Sequence, residues 1–137
     1  MDTHAEHRAS LQLALCGLRS GKVREALAHY RTASDAWFAV RQLDAGLSRE
    51  LKSKQRLLER GLEWLQGRDC HLIGWHQDSY PESLRHVTSP PPFLFVRGQR
   101  DLLWRPQVAI VGSRKASIDG CENAHFFGRQ LAAQGYV

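Results

Sequence analysis

The residues best suited to chemistry lie where an apolar run gives way to a glycine-containing turn and then to a helical pattern. The run from Gln107 to Val111 is typical of a buried parallel strand, and the helical pattern begins after Ser117. A helix that begins there directs its free backbone N–H groups and the positive end of its dipole towards the turn. Such turns bind anions, most often phosphate, so we predict an anion site between the strand and the helix.

Four residues of this turn are of types that suit phosphate. Gly112 allows a tight turn and a close approach of the backbone to a ligand. Ser113 and Ser117 add hydroxyl donors, and Ser117 is also a good helix cap. Arg114 supplies a permanent charge on a planar group that can donate two hydrogen bonds to phosphate. A strand-to-helix turn with a purely structural role fits the same spacing, so both interpretations stay open at this point.

The turn lacks the two common nucleotide-binding fingerprints. The chain has no GxGxxG run, and Gly112 is followed by Gly120 without the Lys-Ser or Lys-Thr pair that closes a phosphate-binding loop. No nucleophile with a neighbouring base and no converging carboxylates can be found in the sequence. The residues therefore favour binding over catalysis, and we expect neither a cofactor nor a metal.

The second half of the chain, residues 69–137, has the pattern of an α/β domain. Three short strands are predicted, at Cys70–Gly74, Phe93–Val96 and Gln107–Val111. A short helix is predicted to begin at Pro81, which suits a first helical position. After the turn comes a longer helix that ends at Gly135, and Tyr136 begins a new strand. One face of that helix is predicted to carry Cys121, Ala124, Phe127, Gly128 and Leu131. A strand, a turn, a helix and a strand open a βαβ unit.

The first half, residues 1–68, has helical periodicity instead. Helices are predicted around Leu11, from Val23 to Tyr30, from Ser34 or Asp35, and from Ser48 onwards. The apolar face of the last and longest helix carries Leu51, Leu58, Leu62 and Leu65. We therefore predict a helical domain over residues 1–68 and a second domain over residues 69–137.

The composition is that of an ordinary globular protein, with 42% hydrophobic and 24% charged residues in a chain of 137. No apolar run approaches the ~20 residues that span a bilayer, and no signal-peptide pattern opens the chain, so we expect a cytoplasmic protein. The net charge of +5 is spread along the chain and permits binding to nucleic acid without requiring it. The three cysteines, Cys16, Cys70 and Cys121, have the spacing of neither a disulfide framework nor a zinc site.

Three separate motifs follow one another in the second half of the chain. A Tyr-Pro pair is followed by a leucine, a double proline leads into a strand that ends in Arg-Gly, and an Ala-Ile-Val-Gly-Ser-Arg run precedes a small residue, a serine and a glycine. They occupy Tyr80 to Leu84, Pro91 to Gly98, and Ala109 to Gly120. In this order and spacing the motifs resemble the DprA/Smf family, the DNA-processing proteins of natural transformation. The resemblance runs from Tyr80 to Val137 and fits the first 70 residues only loosely.

The resemblance implies a protein that binds single-stranded DNA without catalysis. Members of the family hold the strand in a basic pocket of an extended Rossmann-like domain, protect incoming DNA and help to load a RecA-type recombinase onto it. Carried over to this chain, the resemblance implies that Gly112, Ser113 and Arg114 contact phosphate. Ser117 would stand at the start of the helix, and Lys115 would be a further DNA-binding residue.

The expected fold class is accordingly α/β, with a small N-terminal helical domain of helix-hairpin-helix or SAM-like type and the first part of an extended Rossmann-like parallel-sheet domain. The segment from Leu15 to Lys22 resembles a degenerate helix-hairpin-helix, whose turn would donate N–H groups to DNA phosphates. Arg19, Lys22 and Arg24 would then lie near the DNA. A plain corner between two helices also fits this segment.

The chain departs from the family pattern at two points. Asp119 stands where family members commonly carry an aromatic residue, which places a carboxylate beside the expected anion site. The family also continues beyond the position of Val137 with a Ser-Gly-x-Ala-x-Gly-Ile-Asp motif, further lysines and the surface of its homodimer. We therefore expect a fragment in which the dimer surface is missing, with no membrane partner. The alternative is a Rossmann-like nucleotide enzyme, such as a nucleoside-monophosphate phosphoribohydrolase, which would need a second glycine-rich motif and a catalytic acid.

Overall fold

The computed structural model describes residues 2–137, which form two compact units, one ending at Gly98 and the other running from Gln99 to Val137. The helices of the first unit are α1 (Thr3–Leu15), α2 (Ser20–His29), α3 (Ala33–Leu43), α4 (Ala45–Ser53), α5 (Gln55–Leu65) and α6 (Glu82–Arg85). Its strands are β1 (Cys70–Gly74) and β2 (Phe93–Arg97). The second unit contains a 3-10 helix (Arg100–Trp104) and α7 (Ile118–Ala133). Among the described residues, no helix has the length and apolar character needed to cross a membrane.

The core of the first unit forms where helices α1 to α5 turn their apolar faces towards one another. Fully buried side chains come from four of these helices, and each leucine or valine among them contributes about 1.5–3 kcal/mol of hydrophobic stabilisation. They include Leu13, Val23, Leu27, Ala36 and Leu58. Leu72 of β1 and Phe93 of β2 join the same cluster, so the two strands pack with the helices. The compact unit therefore ends at Gly98, whereas the domain boundary predicted from the sequence lies after residue 68.

Polar contacts set the beginning of α3 earlier than predicted. The helix is capped by Thr32, not by Ser34 or Asp35, and the Thr32 hydroxyl accepts the Asp35 N–H at 3.0 Å. The Glu6 carboxylate of α1 accepts the N–H groups of Ala33 and Ser34 at 2.9 and 3.1 Å. A carboxylate is favourable at this end of a helix because the dipole is positive there.

The long helix predicted from Ser48 onwards is wrong, because the structure has two helices with a break at Lys54. Helix α4 begins after Asp44, whose side chain caps it by accepting the Gly46 N–H at 2.7 Å. At the break, the Lys54 ammonium donates to the Leu15 carbonyl oxygen at 3.0 Å and pairs with Glu50 at 2.8 Å. The last residue of α1 thus binds the side chain of Lys54, the residue that separates α4 from α5.

Strands β1 and β2 are confirmed, and they pair antiparallel with Cys70 opposite Arg97 and Gly74 opposite Phe93. The short helix α6 lies between them in the chain, in the predicted place, although Pro81 caps it instead of being its first residue. The described residues thus form a mixed α/β chain with a two-stranded antiparallel sheet. The parallel Rossmann-like sheet is not confirmed.

In the second unit, the strand predicted at Gln107–Val111 is wrong as a strand, since residues 106–111 have no assigned secondary structure. A strand needs a neighbouring segment bonded to it along its length, and in residues 106–111 the backbone hydrogen bonds are confined to Pro106 and Val108. Val137 N–H donates to the Pro106 carbonyl at 3.0 Å, and Val108 N–H donates to the Val137 carbonyl at 2.9 Å. This alternation is that of a single parallel bridge around Gln107.

Helix α7 confirms the predicted helix, and Gly135 ends it with a φ of +89°. The predicted apolar face is half-buried only at Ala124, Gly128 and Leu131, whereas Cys121 and Phe127 are exposed. No residue from Gln99 to Val137 is buried. The second unit therefore has helical and turn structure without a core of its own.

Candidate nucleic-acid interface

The five predicted site residues lie together on an exposed turn that leads into α7. Arg114 and Lys115 form the turn, and the Ser113 hydroxyl oxygen accepts the Lys115 N–H at 3.2 Å. Ser117 caps α7 as predicted, because its hydroxyl oxygen accepts the Gly120 N–H at 3.1 Å. Local hydrogen bonds thus hold the two serines, and both cationic side chains are exposed.

The charges at this turn suit a polyanion. Arg114 and Lys115 form no ion pair with any residue in the described part of the chain. They precede a helix of 16 residues, whose positive dipole end adds to their field. Asp119, in the first turn of α7, opposes that field with one negative charge. The net result is a cationic turn with one carboxylate at its border.

Gly112 does not have the conformational role that the sequence predicts for it. Its φ is not positive, and a Cβ atom added there would meet nothing within 4 Å. An alanine would therefore fit the turn without strain. The space beside this backbone is open.

The first two family-like motifs meet in a packed cluster of the first unit. Tyr80 is fully buried, and its hydroxyl donates to the Pro91 carbonyl oxygen at 2.8 Å. Its ring contacts the Trp75 ring edge to face, with centroids 5.2 Å apart. Burial raises the pKa of the Tyr80 hydroxyl, against the opposing charges of Arg85 and Arg24. These motifs therefore stabilise the connection between β1 and β2, and Trp75 is the member of the cluster that sequence reasoning did not connect with them.

The helix-hairpin-helix hypothesis loses one of its expected DNA contacts. Gly17 takes the left-handed conformation between α1 and α2, with a φ of +87°. Arg24 donates to the Pro90 carbonyl, so its guanidinium faces the protein. Lys22 pairs with Glu25 at 2.8 Å on an exposed surface, and Arg19 is exposed. The geometry fits a corner between two helices at least as well as a DNA-binding hairpin.

Buried reactive groups in the first unit have environments that keep them neutral. Burial raises the pKa of the Cys16 thiol, and this thiol donates to the Leu13 carbonyl at 3.3 Å. Burial also lowers the pKa of His76. Within residues 2–137, no three His, Cys, Asp or Glu side chains are grouped so that they could hold a metal ion.

Comparisons with known proteins agree with the motifs. Residues 71–137 match the family described as DNA recombination-mediator protein A. Protein Smf of Escherichia coli (strain K12) is 36% identical over 87 residues, which are 64% of this chain and 23% of that protein. DNA processing protein DprA of Streptococcus pneumoniae (strain ATCC BAA-255 / R6) is 44% identical over 46 residues, which are 34% of this chain and 16% of that protein.

The chain thus spans less than a quarter of the length of either relative. No solved structure matches it. The match to the family begins at the second residue of β1 and includes the Tyr80–Pro91 cluster and the cationic turn. Through residues 71–137, the chain belongs to the DprA/Smf family of DNA recombination-mediator proteins.

Proposed function

We propose that this chain binds single-stranded DNA during recombination and natural transformation, and that it does so without catalysis. The family is one of DNA processing and recombination, which supports a DNA partner. The observation that carries the proposal is the exposed pair Arg114 and Lys115, without ion-pair partners in the described residues, at the start of a 16-residue helix. Such a site grips phosphates without reading bases.

The chemistry of the turn supports binding over reaction. Its side chains are two hydroxyls and two cations, and the serine hydroxyl oxygens already accept backbone N–H groups. A nucleophile would need a neighbouring base, and neither Ser113 nor Ser117 has one within hydrogen-bond distance in the described residues. Phosphate binding, in contrast, needs only hydroxyl and cationic groups, and the turn has both.

The second unit supports a Rossmann-like arrangement. The two hydrogen bonds between residues 106–108 and Val137 have the parallel pattern, and the turn and α7 lie between these segments in the chain, which supports a βαβ arrangement. In open sheets of this type, ligands sit beyond the carboxyl ends of the strands, and residues 112–117 directly follow the segment that makes the parallel hydrogen bonds. We propose that these segments belong to an extended Rossmann-like domain.

The expected partners follow from the family. We propose a RecA-type recombinase as the protein that receives the DNA, a homodimer as the state of the intact family member, and the cytoplasm as the compartment. These proposals rest on the match over residues 71–137.

The test is the affinity of the chain for fluorescein-labelled oligo-dT, measured by anisotropy at several salt concentrations. Each phosphate contact to a single strand contributes about 0.7 to the slope of log K against log salt, so Arg114→Ala should lower the slope by about that amount. We also expect the affinity to fall about fivefold to tenfold. Arg129→Ala, an exposed arginine further along α7, is the matched control and should leave both values unchanged.

If the Arg114→Ala protein binds oligo-dT as well as the parent, with the same salt slope, the turn is not the DNA site. Displacement of oligo-dT by micromolar dTMP would favour the nucleotide-enzyme alternative.

A further inference from the structure

An open cleft of about 410 Å³ lies in the first unit, far along the chain from the cationic turn. It is formed by the end of α2, the residues that follow β1 and the end of α6. Six of its lining side chains carry a ring or a positive charge: His29, Tyr30, Arg31, Trp75, His76 and Arg85. Its volume is in the range of small-molecule sites, about 300–1,000 Å³. No aspartate or glutamate lines it among the described residues.

Arg85 is held in place on one side of this cleft by several contacts. Its guanidinium lies over the Trp75 ring at 4.7 Å and over the Tyr80 ring at 5.1 Å. Its Nη2 donates to the Gln77 carbonyl at 3.2 Å, and its Nε lies 3.4 Å from Glu82. A cation fixed in this way loses little side-chain freedom when an anion binds.

Arg31 lines the same cleft from the end of α2 and is exposed. It forms neither an ion pair nor a side-chain hydrogen bond with any of residues 2–137, so its charge is uncompensated by a direct contact. The cleft thus combines one arginine fixed by its neighbours with a second whose donors are available.

The two carboxylates that act on residues of the cleft, Glu82 and Glu6, already have partners. Glu82 pairs with Arg85 and with His86, at 3.4 and 3.2 Å. Glu6, whose charge acts on His76, accepts two backbone N–H groups at the start of α3. His76 Nδ1, in contrast, is buried with no hydrogen-bond partner in the described residues. The cleft therefore offers a ligand the donors of Arg31 and the guanidinium donors of Arg85 that Gln77 and Glu82 leave unused.

We propose that this cleft is a second binding site for single-stranded DNA, in which a backbone phosphate lies between Arg31 and Arg85 with the Tyr30 ring beside it. The inference rests on the proposed DNA function and names a contact outside the family-like turn. Aromatic side chains beside cations suit a single strand because every base has a face that can stack, whatever the sequence. A free nucleotide offers the same phosphate and base, so the test includes one.

The experiment is a ¹H–¹⁵N NMR titration of the full 137-residue chain with oligo-dT and, separately, with dTMP. We expect oligo-dT to shift the Trp75 indole N–H and the Arg31 amide, in addition to the amides of residues 112–117. Arg31→Ala should remove the shifts at the cleft and lower the affinity for oligo-dT about fivefold. Arg41→Ala, an exposed arginine on α3 that lies over the Phe38 ring, is the matched control and should change neither.

The cleft and residues 112–117 give separate NMR signals, so the possible outcomes can be distinguished. Shifts confined to residues 112–117 overturn the cleft site and leave the proposed function intact. Shifts at the cleft that persist in Arg114→Ala, with none at residues 112–117, support the cleft and overturn the turn as the DNA site. An absence of shifts at both places overturns both proposals. Shifts at the cleft with dTMP but not with oligo-dT overturn DNA as the ligand in favour of a free nucleotide.

Discussion

The hydroxyl of Tyr80 donates a 2.8 Å hydrogen bond to the carbonyl oxygen of Pro91, and this contact joins two sequence motifs that are eleven residues apart. Tyr80 has no exposed surface, so its hydroxyl has no access to water if the contact is lost. The bond fixes the chain between β1 and β2, where Trp75 and Arg85 also pack on the tyrosine ring.

We predict that Tyr80→Phe lowers the free energy of unfolding by about 1–2 kcal/mol, because the Pro91 carbonyl is left without its donor. Urea denaturation followed by tryptophan fluorescence measures the change. Tyr136→Phe is the matched control, since Tyr136 is 41% exposed and should tolerate the loss of its hydroxyl. Equal stability of the Tyr80→Phe protein and the parent would contradict a structural role for this bond.

The second prediction compares two glycines that differ in backbone conformation. Gly17 has a φ of +87°, and a Cβ atom there would lie 3.2 Å from Glu50 Cγ, so Gly17→Ala should cost about 1–2 kcal/mol. Gly112 has neither a positive φ nor a close neighbour, so Gly112→Ala should change stability by less than about 0.5 kcal/mol. Thermal unfolding followed by circular dichroism tests both, and a larger loss for Gly112→Ala than for Gly17→Ala would refute the comparison.

The third prediction concerns pH and His76. Burial lowers the pKa of this imidazole from its ordinary value of 6.5, and the Glu6 carboxylate opposes the change only in part. The unfolded chain therefore binds more protons than the folded chain once the pH falls below about 6.5, and stability decreases until the folded-state pKa is passed. His7 has a lowered pKa as well, through burial and the neighbouring His4, and adds to the same trend.

The measurement is the melting temperature of the parent and of His76→Gln at about pH 7.5 and pH 5.5. We expect the drop on acidification to be smaller in His76→Gln, and to be unchanged in His125→Gln, which replaces an exposed histidine of α7. Parallel drops in the parent and in His76→Gln would show that another group is responsible.

The sequence predicted those elements whose apolar pattern agrees with their environment. A periodicity of 3.6 residues was enough to predict α2 and α7, and short apolar runs were enough to predict β1 and β2. The serine before α7 was enough to predict its cap. The break at Lys54 was missed because no glycine or proline marks it, and its side chain is held by a contact with Leu15, 39 residues away in the chain. Gln107–Val111 was assigned as a strand on its composition, but a strand also requires hydrogen bonds to a neighbour along its length.

Of the two candidate sites, the sequence predicted one and missed the other. The cationic turn is local, so residue types and spacing alone predict that Arg114, Lys115 and Ser117 lie together. The cleft is assembled from α2, the loop after β1 and α6, and no spacing in the sequence indicates that Arg31 and Arg85 line one cavity.

The absence of buried residues between Gln99 and Val137 has a consequence for how the chain opens. Cooperative unfolding requires a core that is lost at once, and such a core is present only in the segment that ends at Gly98, among the described residues. Amide protons of α7 should therefore exchange with solvent through local fraying within minutes. Those of α1 and β1 should exchange only when the helical core opens as a whole, so one polypeptide carries a slowly exchanging segment and a rapidly exchanging one.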